Sequence, residues 1–569
     1  MSPFFTREML RALLVFTVLC ASPVLAQEAG SFGESIDVRR VDVDVVVTDA
    51  DGVSVRGLTR EDFALEIDGA ATEIRNFSER SDDPLLVLGK SAIAGASDAA
   101  SETVESRDVP VTWVVYVDSG MVAQGPKNDA LKKVAALLGA NTRPEDRFMV
   151  VTFDGQRLMF PTPLGRFATD RAELERSISA IRRQSGDGDS RRMNAGQLLS
   201  LLQQTANGDG FSGSGVPLEV YLDQLLIYVE DEGRAARRSL QALDQFISLA
   251  SGFEGQRVVV IQVGGDLPAR PGEEMFERSR GRLGLTPDDV RLFSIQQRIS
   301  NLGPEVSAVL QHANAGRMTF YTIDTATDSS FGVSPVEDAG LPGTNEAARA
   351  VPASATSSTP LSTLAAATGG RAFHASPELA TRLLEVTQDL NHYYSLAYEP
   401  SSEKQGYHRV KVKMTRPGLV AHQRDGVAQR GARAQGADAA LTALLDSTST
   451  NNLHVSAAIT AGTSKSKTIA VQVQLPLSDL VFAPPEQAGG VHRAKISFHF
   501  AIADASREFR RLDSKNLEFT VPDEKLETSR HEHVVYTIQL PATFRGWRLA
   551  IVAVDEIGAI RSSIVIPVT

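Results

Sequence analysis

Between Ser35 and Ser78, apolar and polar positions alternate with a period of two. Val41, Val43, Val45 and Val47 fall on one side and Asp42, Asp44 and Val46 on the other, which predicts a half-buried strand. Asp49-Ala50-Asp51-Gly52 reads as a turn. A second extended run, Phe63 to Ile67, ends at the turn Asp68-Gly69, and Thr72 to Phe77 returns. Residues 35–80 thus predict a small antiparallel β unit. Residues 81–108, rich in Ser, Ala and Asp, predict a linker.

From Val109 the pattern changes. Val111 to Val117 is apolar on both faces and stops at Asp118-Ser119-Gly120, as a fully buried strand does at the end of a parallel sheet. A helix is predicted over Lys127 to Gly139. A strand over Arg147 to Phe153 ends at Asp154, with a hairpin partner over Gln156 to Thr162, and a helix covers Asp170 to Arg183. The Gly-, Ser- and Asp-rich stretch 185–216 predicts a flexible insertion. Helix resumes near Leu218 and runs to Ser251, with a break expected around Glu230 to Gly233. Further strands are Gln256 to Val263 and Met318 to Asp324. Residues 325–358 form a low-complexity loop, and helices follow over Thr359 to Thr368 and Pro377 to Asn391. This alternation predicts an α/β domain over 109–392, a doubly wound parallel sheet of Rossmann-like type with helices on both faces.

After His392 the chain turns to β at 393–398, 408–415 and 420–424, with a hinge or short helix over 426–450. Strands over 469–475, 494–502, 534–540 and 547–554 predict a separate C-terminal antiparallel β-sandwich over 451–569.

Composition narrows the function classes. The chain has 569 residues, 42% hydrophobic and 22% charged, which suits several soluble domains. Arg7 and Arg11, the apolar stretch Leu13 to Ala21 and the small-residue site Val24-Leu25-Ala26 read as a cleaved signal peptide over 1–26. Export to periplasm or medium is the expectation, with no transmembrane segment. Cys20 lies inside that leader, so no disulfide and no cysteine nucleophile is available afterwards. The formal net charge of −12 argues against nucleic acid as a partner.

Several marks act together. They are Val47-Thr48-Asp49 with Gly52, Gly57-Leu58-Thr59, Asp62-Phe63, Asp68-Gly69 and Phe77. Later come Phe320-Tyr321-Thr322-Ile323-Asp324, Leu364-Ala365 with Thr368-Gly369-Gly370, and Tyr394-Ser395-Leu396-Ala397-Tyr398 with Pro400. On these residues the chain resembles the bacterial von Willebrand factor type A-related proteins, abundant among exported proteins of acidobacteria. The resemblance covers residues ~38 to ~427 and leaves the last ~120 outside it. It implies a type A fold and a mode of interaction rather than an activity. It also suggests that strands 393–427 pair with 35–80 in one β domain, from which the type A domain is inserted.

In such domains Asp-x-Ser-x-Ser after the first strand, a loop Thr and a later Asp hold Mg²⁺, and a partner's carboxylate completes the shell. Here Asp118 is present, but the serine positions hold Gly120 and Val122, and Ser119 stands one place early. Residues 187–197 contain no Thr, and Val263-Gly264-Gly265 displaces the late acid to Asp266. No metal of the family type is therefore expected. A displaced Mg²⁺ or Ca²⁺ site would fall on Asp118, Ser119 and Asp266. Asp118, Ser119, Gly120, Asp154, Asp266 and Asp324 all lie at predicted carboxyl ends of strands, and together they are the candidate binding face.

Other patterns carry less. His531-Glu532-His533 on a strand lacks a third zinc ligand. Asp187-Gly188-Asp189-Ser190 lacks the ladder of a calcium loop, and Gly210-Phe211-Ser212-Gly213-Ser214 misses the nucleophile elbow. Arg182-Arg183 and Arg191-Arg192 read as a solvated cluster or a partner-facing patch. The expectation is an exported, non-enzymatic module that binds an unknown protein, independently of metal, through loops 119–126, 185–216 and 264–286. The alternatives are an exported hydrolase with an unrecognised site and a structural component of the cell envelope.

Overall fold

The computed structural model describes residues 40–81, 103–105, 110–207, 215–253, 257–265, 267–325, 359–400, 406–429, 431–445, 450–461, 467–485, 490–505 and 508–568. The predicted leader, the loop 326–358 and Asp266 lie outside the described residues.

Strand β1 (Val41–Thr48) buries Val43, Val45 and Val47, as its alternation dictates. Asp68 and Gly69, both at positive φ (51° and 82°), make the two-residue turn that joins β2 (Phe63–Ile67) to β3 (Ala70–Thr72). Then come β4 (Asn76–Ser81) and β5 (Thr103–Glu105), the latter a parallel neighbour of β4 within the stretch expected as linker.

The α/β domain follows: β6 (Val111–Asp118), α1 (Gln124–Asn141), β7 (Arg147–Phe153), β8 (Leu158–Arg166), α2 (Phe167–Arg183), α3 (Gly188–Asn207), α4 (Leu218–Ala250), β9 (Arg257–Gly264), α5 (Glu273–Arg282), α6 (Pro287–Ser300), α7 (Gly303–Ala315), β10 (Met318–Asp324), α8 (Pro360–Ala367), β11 (Ala372–His374), α9 (Leu379–Arg382) and α10 (Leu384–Asn391). Its sheet has the order β11-β10-β9-β6-β7-β8, parallel except for β8. Each face has its own apolar core. Val115, Val117, Leu131, Leu138 and Ile178 meet on one side. Val114, Tyr116, Leu240, Phe246 and Phe320 meet on the other.

Two expectations fail here. Residues 188–207 of the stretch expected as a flexible insertion are helix α3, which turns Ala195, Leu198, Leu199 and Leu202 onto Tyr221 and Leu225 of α4, while 208–214 lie outside the described residues. The Gly- and Asp-rich start hid that stripe. The break at Glu230 to Gly233 is absent as well, and α4 runs unbroken for 33 residues. Val229, Ala236, Leu240 and Leu243 continue its buried face, while Glu230 and Asp231 pair with Arg234 on the solvent side.

The chain leaves the α/β domain through β12 (His392–Tyr398), which pairs antiparallel with both β1 and β4. It continues into β13 (Gly406–Met414), β14 (Val420–Gln423) and β15 (Gly426–Gln429). Sheets β14-β1-β12-β4-β5 and β15-β13-β2-β3 enclose Val45, Leu65, Tyr394, Leu396, Val410 and Val412.

The stretch expected as a hinge holds β15 and then α11 (Ala432–Ala443). The C-terminal strands are β16 (Ser456–Ala461), β17 (Thr468–Pro476), β18 (Val491–Ala503), β19 (Phe509–Arg511), β20 (Lys515–Pro522), β21 (His533–Pro541), β22 (Arg548–Asp555) and β23 (Ile560–Pro567), in sheets β16-β17-β21 and β19-β18-β22-β23 with β20 on β18. This sandwich is not separate. Ala439, Ala440 and Leu444 of the α11 segment join Phe246 and Ile247 of α4 to Ala501, Ala550 and Val552 in one apolar cluster. Phe160 and Phe509 meet edge to face at 5.0 Å across the same seam. His531 and Glu532 precede β21, so the expected pair of imidazoles on one strand face does not form. Among the described residues, no helix is long and apolar enough to cross a membrane.

Candidate functional site

All eight residues of β6 are buried, and burial continues through Ala123 before the chain reaches the surface. Asp118 pairs in register with Phe153, and one step along, Gly264 pairs with Asp324. The carboxyl ends of β7, β6, β9 and β10 therefore form one level edge. Asp118 shares the α4 face of the sheet with Val114 and Tyr116.

On that face Ser239 of α4 donates its hydroxyl to Asp118 Oδ2. Asp118 Oδ1 is buried without a hydrogen-bond partner. Burial raises the carboxyl to about 6, against the pull of the Ser239 hydrogen bond and the Arg191 charge. Arg191 comes from α3. Its guanidinium is ion-paired with Glu232 of α4, and its Nη1 lies 3.0 Å from Met121 Sδ. Burial raises Glu232 too, again opposed by Arg191.

The loop after β6 is clasped by glycine backbones. A Cβ on Gly265 would fall 2.0 Å from Met121 O, and one on Gly188 would fall 2.4 Å from the Val122 carbonyl carbon. Asp187 N–H donates to Ser119 O at 3.0 Å, and Gln124 N–H to Asp189 Oδ2 at 3.0 Å, the latter satisfying an opening donor of α1. Buried Lys127 donates to the carbonyls of Ile181 (3.1 Å) and Gln184 (2.5 Å), tying α1 to the end of α2. Between α3 and α4 a cavity of about 580 Å³ opens over this loop, with Gly120 and Gly155 in its floor and Arg191, Asn194, Gln224 and Ile227 in its walls.

The candidate residues thus part company. Gly120 lines the cavity, whereas Asp118 is buried against Ser239 and does not line it. Ser119 turns to the opposite face, where its Oγ lies 3.2 Å from Thr152 Oγ1. Asp154 Oδ1 accepts from Gln156 N and Arg157 N (2.9 and 2.8 Å) and closes the β7–β8 hairpin. Asp324 stands two strands from Asp118, about 10 Å away. Glu232 and Ser239 are residues that nothing in the sequence places here, and Arg191, expected in a partner-facing loop, turns inward to Glu232 instead. The pair Arg191-Arg192 was visible as charge, but nothing in it told that Arg191 points inward.

The arrangement does not fit a cation of the type A kind. Gly120 and Val122 bring no side-chain oxygen, Ser119 is turned away, and a guanidinium already stands beside Asp118. Among the described residues, no group of three or more His, Cys, Asp or Glu converges.

No protein-family model and no curated protein matches the chain. Among solved structures, the human COPII-coat protein Sec24c is similar over 59% of this chain and 47% of its own, at 10% identity and a TM-score of 0.24. A von Willebrand factor type A structure from Catenulispora acidiphila is similar over 80% of this chain and 64% of its own, at 11% identity and a TM-score of 0.21. The chain spans less than two thirds of the length of either.

Proposed function

We propose that this chain is an exported protein-binding module whose contact face is the carboxyl-end edge of the parallel sheet, and that it holds its protein ligand without a metal ion. The reading rests on Arg191. A tethered guanidinium placed between Asp118 and Glu232 supplies from within the chain the positive charge that a bound cation would bring. The cavity beside it offers carboxamides (Asn194, Gln197, Gln224) and the exposed Ile227, a mixture suited to a polypeptide surface. The β domain and the C-terminal sandwich then act as a spacer that presents this edge.

The test is capture from cell-envelope extract on the immobilised mature chain, with and without EDTA. A ligand retained in chelator and lost with Ile227→Asp supports the reading. Capture abolished by chelator sinks it, as does micromolar affinity for Mg²⁺, Mn²⁺ or Ca²⁺ that Asp118→Ala removes.

A further inference from the structure

Three residues from distant stretches of chain meet in the β domain. Ser54 Oγ lies 2.9 Å from His392 Nδ1, and His392 Nε2 lies 2.9 Å from Glu79 Oε1. A carboxylate only accepts, so Nε2 carries the proton of the neutral ring. Nδ1 is then the acceptor of the Ser54 hydroxyl proton. Glu79 Oε1 also accepts from Gly57 N–H at 3.0 Å, which fixes the carboxylate. The Tyr394 ring stands edge-on to the imidazole, centroids 5.2 Å apart, which fixes its plane.

The fold over-determines this line. His392 opens β12, Glu79 lies on the neighbouring strand β4, and the stretch bearing Ser54 bridges to Thr48 at the end of β1. His392 and Glu79 are buried, whereas Ser54 is half-buried and follows the exposed Val53. A hydroxyl within reach of solvent needs no imidazole to satisfy it. A base with its tautomer set by a buried carboxylate, and a hydroxyl of a half-buried serine on its other nitrogen, are the parts of an activated nucleophile.

We propose that Ser54, His392 and Glu79 form an acyl-transfer site for small carboxylic esters, separate from the strand-end edge. Ser54 Oγ bonds to the ester carbonyl carbon while its proton passes to His392 Nδ1. The bond to the alcohol oxygen then breaks, and the alcohol leaves with that proton. Water repeats the sequence on the acyl-serine, releasing the acid and restoring the hydroxyl. Glu79 is a positioning residue. Small substrates are favoured because only the serine side of the line reaches the surface.

The mature full-length chain is tested with a fluorophosphonate probe and with p-nitrophenyl acetate. The expected result is one adduct, mapped by mass spectrometry to Ser54, with labelling and ester cleavage reduced about 100-fold or more in Ser54→Ala. Glu79→Gln slows the reaction and alters its pH–rate profile, with circular dichroism unchanged in both variants. Wild-type labelling no faster than Ser54→Ala overturns the proposal, and so does an adduct confined to another serine.

Discussion

Ser239 of the long helix donates its hydroxyl to Asp118 at the end of β6, although the two stand 121 residues apart. The bond joins the helix that carries Glu232 to the strand that ends the candidate face. The bond is made to Oδ2, while Oδ1 of the same carboxylate is buried without a hydrogen-bond partner. The consequences are electrostatic and can be measured.

Asp118 titrates at about 6 in the folded chain, because burial penalises its charge, against 3.8 as the ordinary value. A raised carboxyl means that the folded state holds the proton longer. Its contribution is fully present below about pH 4 and is lost as pH rises through about 6. The difference of about two units corresponds to ~3 kcal/mol. Asp118→Asn keeps an acceptor for Ser239 and is expected to be more stable than wild type above pH 6 by up to that amount. Urea midpoints measured from pH 4 to 8 check this, and parallel curves for the two proteins would count against it.

Arg191 and Glu232 are both largely buried. Arg191→Gln leaves a buried carboxylate without its cation and is expected to cost about 3–5 kcal/mol. The double variant Arg191→Gln/Glu232→Gln recovers most of that loss. A double-mutant cycle by chemical denaturation reads the coupling, and a double variant as unstable as the single one would refute the pairing.

Gly265→Ala places a Cβ 2.0 Å from Met121 O, so backbone must move. Gly125→Ala meets nothing within 4 Å on the first turn of α1. The first is expected to cost about 1–3 kcal/mol and the second to be neutral or stabilising by under ~1 kcal/mol. Thermal melts of the two variants side by side make the comparison. Equal melting temperatures would show that the clasp is slack.

His499, on β18 and packed against Gly436 of α11, is pushed down to about 4 by burial, with the charges of Arg433 and Arg511 adding to it. Its ordinary value is 6.5, so the stability it confers is present above that pH and is lost as pH falls through about 4. The sense is opposite to that of Asp118. The protection factors of the β18 and β22 amides, with the intrinsic pH dependence of exchange divided out, are therefore expected to fall between pH 6 and 4. His499→Gln should flatten that dependence, and an unchanged slope in the variant would rule the histidine out as its cause.

Legibility varied with how local the cause was. The run Val111 to Val117 announces a strand buried on both faces, because no other element accepts so many β-branched residues without a polar side. Alternation at Val41, Val43, Val45 and Val47 likewise names the strand and its buried face. By contrast, β20 and β23 carry no clear strand signal in the sequence, since Lys515 to Pro522 and Ile560 to Pro567 mix polar with apolar residues on a half-exposed surface. Helix α3 was hidden for a similar reason. Its four buried apolar residues follow a Gly- and Asp-rich start, and they matter only once Tyr221 and Leu225 stand opposite.

The sequence by itself determined which segments are buried strands, where the parallel sheet ends, and that Gly120 and Val122 bring no oxygen to that end. Those are properties of single residues and short periods, fixed by backbone geometry and hydrophobicity before any packing exists. Only the tertiary structure decided that Arg191 turns inward, that Ser239 meets Asp118, and that Ser54, His392 and Glu79 fall in line. Each of those contacts depends on the packing of helices and strands far apart in the chain. A side chain's charge or hydroxyl is legible in the sequence, but its partner is set by how whole elements dock.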